Sequence, residues 1–198
     1  MHARNVVSAK LWGKVVSSRA DYDRLPEELR NSPNNGATDG FPIKVFINGK
    51  YQGLYNWTIP KSEWMFGINE NNSPSVALSA EFNDNGNLSF RYNPCNFNQD
   101  WSGIDGDYWS IEAGKNSEQV KSKFNYMVNG LKGGGIDHDI IDVKSAVDYY
   151  IFQDVILGTD GLAKNMILLN YDNNIKWYFS PYDMDATFDL DWNGNILN

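Results

Sequence analysis

The sequence predicts an α+β domain in which helices and β-hairpins alternate, and three observations carry that prediction. Two hairpin signals stand far apart: Asn48-Gly49 between "FPIKVFI" and "KYQGLYNWTI", and Asp172-Asn173-Asn174 between "NMILLNY" and "IKWYF". Apolar residues at helical spacing mark segments at the start of the chain and before the second hairpin. No strand–helix–strand series with a glycine fingerprint runs through the chain, which excludes a Rossmann pattern.

Residues 4–19 read as an amphipathic helix, since Val7, Leu11 and Val15 recur every four positions. Residues 21–40 are rich in Pro, Gly and Asn and read as a long loop with one helical turn at Pro26 to Arg30. The first hairpin follows, and Pro60 in "PKSEWMFGI" sits at a plausible first helical position. Short strands are expected near 75–82 and 108–112, and a helix over 117–132 ended by Gly133-Gly134-Gly135. The clearest helix runs from about Asp142 to Leu157, with Val143, Ala146, Val147, Tyr150 and Ile151 as its buried face and Gly158 as its stop. The second hairpin closes the series.

Hydrophobic residues make up 41% and aromatics 14% of the 198 residues, enough for a core of its own. The chain reads as one domain over 1–198, partial at both ends. "MHARNVVSAKLWGKVV" starts inside a helix with no cap before it, and "DWNGNILN" stops without a closing element. The net charge of −8 argues against a nucleic-acid surface, which needs clustered Lys and Arg. No run approaches the ~18 apolar residues of a membrane span. The start lacks the basic-then-apolar layout of a signal peptide, and the compartment stays open. The single Cys95 excludes an internal disulfide or a Cys-based zinc site, and His2 and His138 have no metal-spaced partner.

One constellation could carry chemistry. A helix leads into a loop with Asp160, Asn165 follows five residues later, a hairpin intervenes, and Asp183 and Asp185 come after it. Protein kinases place a catalytic-loop Asp, an Asn and a metal-binding Asp in this order. The physics is that an acceptor hydroxyl needs an oriented carboxylate. Metal ions on the phosphates need hard oxygen ligands from two neighbouring segments, and a hairpin brings its two ends together. The bland alternative is a loop cap at Asp160 and a surface turn at Asp183. A calcium loop in "DMDATFDLDWNG" fails the EF-hand pattern, with Phe188 and Gly194 where Gly and Glu are required. Gly133-Gly134-Gly135 is a terminator before it is a phosphate cradle. Trp101, Tyr108 and Trp109 are core aromatics before they are a sugar platform.

Four segments resemble the CotH family of spore-coat proteins with an atypical protein-kinase-like fold. "NGKYQGLYNW" resembles the family's tyrosine-rich hairpin, "GTDGLAKNMILLNY" its Asp-to-Asn loop and "WYFSPYDMDATF" its Asp-x-Asp segment, while "ARNVVSAKLW" resembles the Arg-Asn helix that precedes the hairpin. The resemblance implies a protein-kinase-like domain lacking part of the N-terminal region. It implies binding of ATP with Mg²⁺ or Mn²⁺ and phosphorylation of Ser or Thr on a protein substrate. Carried over, Asp160 is the catalytic-loop Asp, Asn165 a metal ligand, Asp183 the principal metal-binding Asp and Asp185 its support. Lys61 is the residue kept for cofactor binding, on its place just after the hairpin; Lys44 alternates with Ile43 and Val45 and reads as an exposed-face lysine. Asp189 stands where the family often has Gly, and "TIPK" replaces an acidic position. An alternative of another class is a catalytically inactive CotH-like structural module of a spore coat, phage particle or surface assembly. A third is a carbohydrate-binding module.

Overall fold

A computed structural model describes residues 3–69, 74–80, 109–115, 117–132, 139–158, 161, 164–172, 174–191 and 193–196. Asp160, His2, His138, Gly133-Gly134-Gly135, Trp101 and Tyr108 lie outside them. The chain is a mixed α+β fold, and its described strands form two sheets. Helix α1 (Arg4–Ser17) leads through short turns and helix α2 (Glu27–Asn31) into strands β1 (Gly40–Ile47) and β2 (Lys50–Thr58). Asn48 and Gly49 both take left-handed backbone, φ 49° and 77°, as a type I′ turn requires, and β1 and β2 pair antiparallel across them. This ribbon pairs with no other strand among the described residues.

The second sheet is antiparallel, in the order β4 (Trp109–Gly114), β3 (Val76–Ala80), β5 (Met166–Asn170) and β6 (Tyr178–Pro181). Every residue of β3 and of β5 is buried, so these central strands are covered on both faces. Helix α4 (Glu118–Lys132) packs Phe124 edge-on against Trp109 and Trp177, and helix α5 (Val143–Val155) packs Tyr149 against Phe179. Trp109, Phe179 and Leu168 share one face of the sheet. The other face meets helix α3 (Glu63–Phe66), whose Phe66 carbonyl accepts from the Tyr171 hydroxyl at 2.7 Å.

Two sequence expectations about burial hold only in part: Ala146 and Val15 pack against the core, and most of their companions do not. On α5 the buried residues are Ser145, Tyr149, Phe152 and Gln153, while Val147, Tyr150 and Ile151 are 48%, 61% and 53% exposed. The helix is apolar on both sides, so periodicity alone marks two stripes. The stripe holding Tyr149 and Phe152 goes inward because it meets Trp12 edge-on from α1. On α1 the same Trp12, with Ala9 and Val16, takes the core, and Val7 and Leu11 face out.

Smaller corrections concern helix ends. Pro60 precedes α3 by three residues and is not its first position; the chain stays extended at the N-cap Ser62. Asp142 caps α5 as its carboxylate accepts from the Ser145 N–H at 2.7 Å. The left-handed residue that ends α5 is Leu157 (φ 54°), and Gly158 serves a packing need instead: a Cβ there would lie 2.0 Å from Gln153 Oε1. No described helix is long and apolar enough to cross a membrane.

Candidate functional site

The site is built at one end of the four-stranded sheet. Met166 opens β5 and pairs with Pro181, the last residue of β6, so the residues just outside them must lie side by side. The Tyr182 N–H donates to the Asn165 carbonyl at 2.9 Å, and the Asn165 N–H donates to the Ala80 carbonyl at 3.2 Å. Asn165 and Asp183 thus stand on adjacent segments, and both have left-handed backbone, φ 59° and 48°. The hairpin brings together the two positions that its spacing predicts.

Beyond Asp183 the chain alternates inward and outward. Met184, Ala186 and Thr187 are buried; Asp183 is half-buried and Asp185 exposed. Hydrogen bonds to α1, within the turn and to the end of α5 hold it in place. Asn5 Oδ1 accepts from the Met184 N–H at 3.2 Å, the Thr187 hydroxyl donates to the Met184 carbonyl at 3.0 Å, and the Phe188 N–H donates to the Ile156 carbonyl at 2.7 Å. Phe188 and Asp189 are left-handed in succession, φ 53° and 65°. The family resemblance expects Gly at position 189, and the backbone there takes the conformation that Gly favours. Asp189 follows that path at a strain of about 1 kcal/mol.

A cleft of about 370 Å³ opens beside this turn. Its walls are Asp183 and Asp185, Asn5 of α1, Tyr55, Asn56 and Thr58 of β2, and Leu190, Asp191 and Asn193 of the tail. Asp191 organises the tail, accepting from the N–H groups of Asn193 and Asn195 at 2.9 and 2.7 Å. These bonds, the one from the Asn195 side chain foremost, hold its carboxyl below the usual range. Three carboxylates therefore share one cleft, which suits a cation better than a bare anion. Asn5 and Asp191 line the cleft and are not among the residues that spacing singled out. The signals were present, in the Arg4-Asn5 pair of the resembling helix and in the turn-forming "DWNGN".

Lys61 and Asn165 do not line the cleft. Lys61 Nζ lies 2.7 Å from Glu112 Oε1, 3.4 Å from Ser79 Oγ and 4.9 Å from the centre of the Tyr182 ring. Ser110 donates to the same Glu112 oxygen at 2.9 Å. The ammonium is thus held against the residue that precedes Asp183. Among the described residues no three His, Cys, Asp or Glu side chains converge as a metal cage. The oxygen donors Asn165, Asp183 and Asp185 do match the needs of Mg²⁺ or Mn²⁺, which bind through one or two carboxylates and leave other positions to substrate phosphates.

A search of curated proteins finds no match to the chain. The family described as CotH kinase protein matches residues 23–197, which include the ribbon, the whole four-stranded sheet and the Asp183–Asp185 turn. On that match the chain belongs to the CotH kinase protein family.

Proposed function

We propose that this chain is a protein kinase with a kinase-like arrangement of its site, binding ATP with Mg²⁺ or Mn²⁺ and phosphorylating Ser or Thr hydroxyls of a protein. The observation that carries this reading is the pair Asp183 and Asp185, turned into one cleft and anchored there by Asn5. The metal ion, when bound, neutralises charge on the phosphates. Asp183 and Asp185 would hold it from the cleft side and Asn165 from the neighbouring segment. Lys61, fixed by Glu112 and Ser79, would meet a phosphate oxygen. Asp160 would orient the acceptor hydroxyl and take its proton as the oxygen–phosphorus bond forms and the bond to the ADP oxygen breaks. Catalysis then rests on positioning and on charge neutralisation in a cleft that is itself acidic.

Thermal unfolding with and without ATP and Mg²⁺, in the wild type and in Asp183→Asn, tests this. A ligand at a hundredfold its Kd stabilises by about 2.7 kcal/mol. For a chain of this size the expected rise in Tm is roughly 5–10 °C. The rise should require metal and vanish in Asp183→Asn. No rise in either protein overturns the proposal.

A further inference from the structure

Helices α1 and α5 both leave apolar side chains exposed. On α1 the row Val7, Leu11, Val15 advances in steps of four toward Arg19, just past the helix end, and on α5 the row Asp148, Ile151, Val155 advances in steps of three and four. The Arg19 side chain joins the rows, its Nε 2.6 Å from Asp148 Oδ2. Arg19 ends its row and Asp148 begins the other, so the two rows run side by side and antiparallel. Val7 is 53% exposed, Leu11 38%, Ile151 53% and Val155 68%, and Tyr150 and Val147 extend the surface around α5. Together these side chains form an exposed apolar surface of the few-hundred-Å² size that on a monomer is often functional.

The charges beside this face say what fits it. Lys14 borders the stripe on the outer flank of α1, and Asp154 borders it on the outer flank of α5; both are exposed and neither has an ion-pair partner among the described residues. A two-fold axis parallel to the helix pair lays α1 of one copy over α5 of the other. The basic flank then meets the acidic flank twice, within about one helical turn along the axis. An unrelated partner would have no reason to match both flanks; a second copy matches them by symmetry. We propose that this chain forms a two-fold dimer through α1 and α5, with Ile151, Val155 and Leu11 at its centre and Lys14–Asp154 pairs at its rim.

Sedimentation velocity over a concentration series tests the proposal. The wild type should sediment as two chains, and Ile151→Asp should raise the dimer Kd at least about a hundredfold. Lys14→Glu and Asp154→Lys should each weaken the dimer about tenfold, and the double variant Lys14→Glu/Asp154→Lys should restore it to within about threefold. These positions are on the surface, so circular dichroism should be unchanged in all four variants. A chain that stays monomeric up to about 100 µM overturns the proposal and leaves the face to a different partner. A dimer indifferent to Ile151→Asp, or a charge swap without rescue, overturns it as well.

Discussion

The two hairpins differ in environment far more than in sequence signal. Both pair apolar strands across a turn-forming dipeptide or tripeptide, yet β5 is buried along its whole length while β1 and β2 leave Phe41, Phe46, Ile47, Tyr51, Leu54 and Trp57 about half exposed. The difference lies in what each can lean on. The β5–β6 hairpin is flanked by β3, roofed by α4 and α5 and backed by α3. Among the described residues the ribbon's strands pair only with each other, with Phe41 and Trp57 stacked at 5.3 Å and Phe46 against Tyr51 at 5.4 Å. Two strands alone are marginal in water. The lesson is that a turn signal specifies a hairpin and says nothing about which hairpin becomes the core.

Truncating one leucine in each hairpin gives the largest contrast. Leu168→Ala, at 0% exposure, should lower unfolding free energy by about 3–5 kcal/mol in a denaturant titration, because the closed sheet cannot collapse into the space. Leu54→Ala, at 54% exposure, should change it by less than about 1 kcal/mol. Equal effects would break the comparison and show that the ribbon is part of the cooperative core.

Next in size is the effect of the charge built beneath the buried hairpin. Lys123 reaches from α4 to the Pro74 and Asp172 carbonyls at 3.0 and 2.8 Å and to the Asn170 side chain, clamping the loop that joins β5 to β6. Burial pushes its ammonium down to about 8, with Asp172 opposing. The unfolded chain therefore holds this proton to higher pH than the folded one, and stability gains as pH rises from about 8 to 10.5. The gain is at most about 3 kcal/mol and should vanish in Lys123→Met, measured by urea unfolding across that window. Tyr178, pushed up to about 12 mainly by burial, works in the opposite direction above pH 10 and sets the upper limit of the useful range.

The smallest effect should appear at the ribbon's turn. Gly49 has φ 77° and open space around it, so Gly49→Ala brings strain without a clash, about 1 kcal/mol. Amide exchange of β1 and β2 should accelerate about fivefold while the exchange of β3 and β5 stays as it was. Acceleration in both sheets would show that they open together.

These contrasts locate what the sequence could reveal. Hairpins were legible because Asn48-Gly49 and the Asp172 turn act locally. The meeting of Asn165 and Asp183 was legible because a hairpin fixes its own ends. The buried face of α5 was not, since a helix with apolar residues all round has no single moment and only Trp12, from another helix, decides the matter. Nor did any local pattern reveal the contact of Asn5, because its partner lies far along the chain.

That last contact separates Asn5 from Met184 by 179 positions. A ribosome adding about 5–20 residues per second completes the aspartate turn roughly 10–40 s after it has made Asn5. Until then the Asn5 side-chain oxygen lacks the Met184 N–H it accepts from, while Trp12 of the same helix already has Tyr149 and Phe152 of α5 to pack on. Assembly of the cleft is thus timed by synthesis itself: a nascent chain cannot complete the Asn5-anchored turn before translation has passed Asp185.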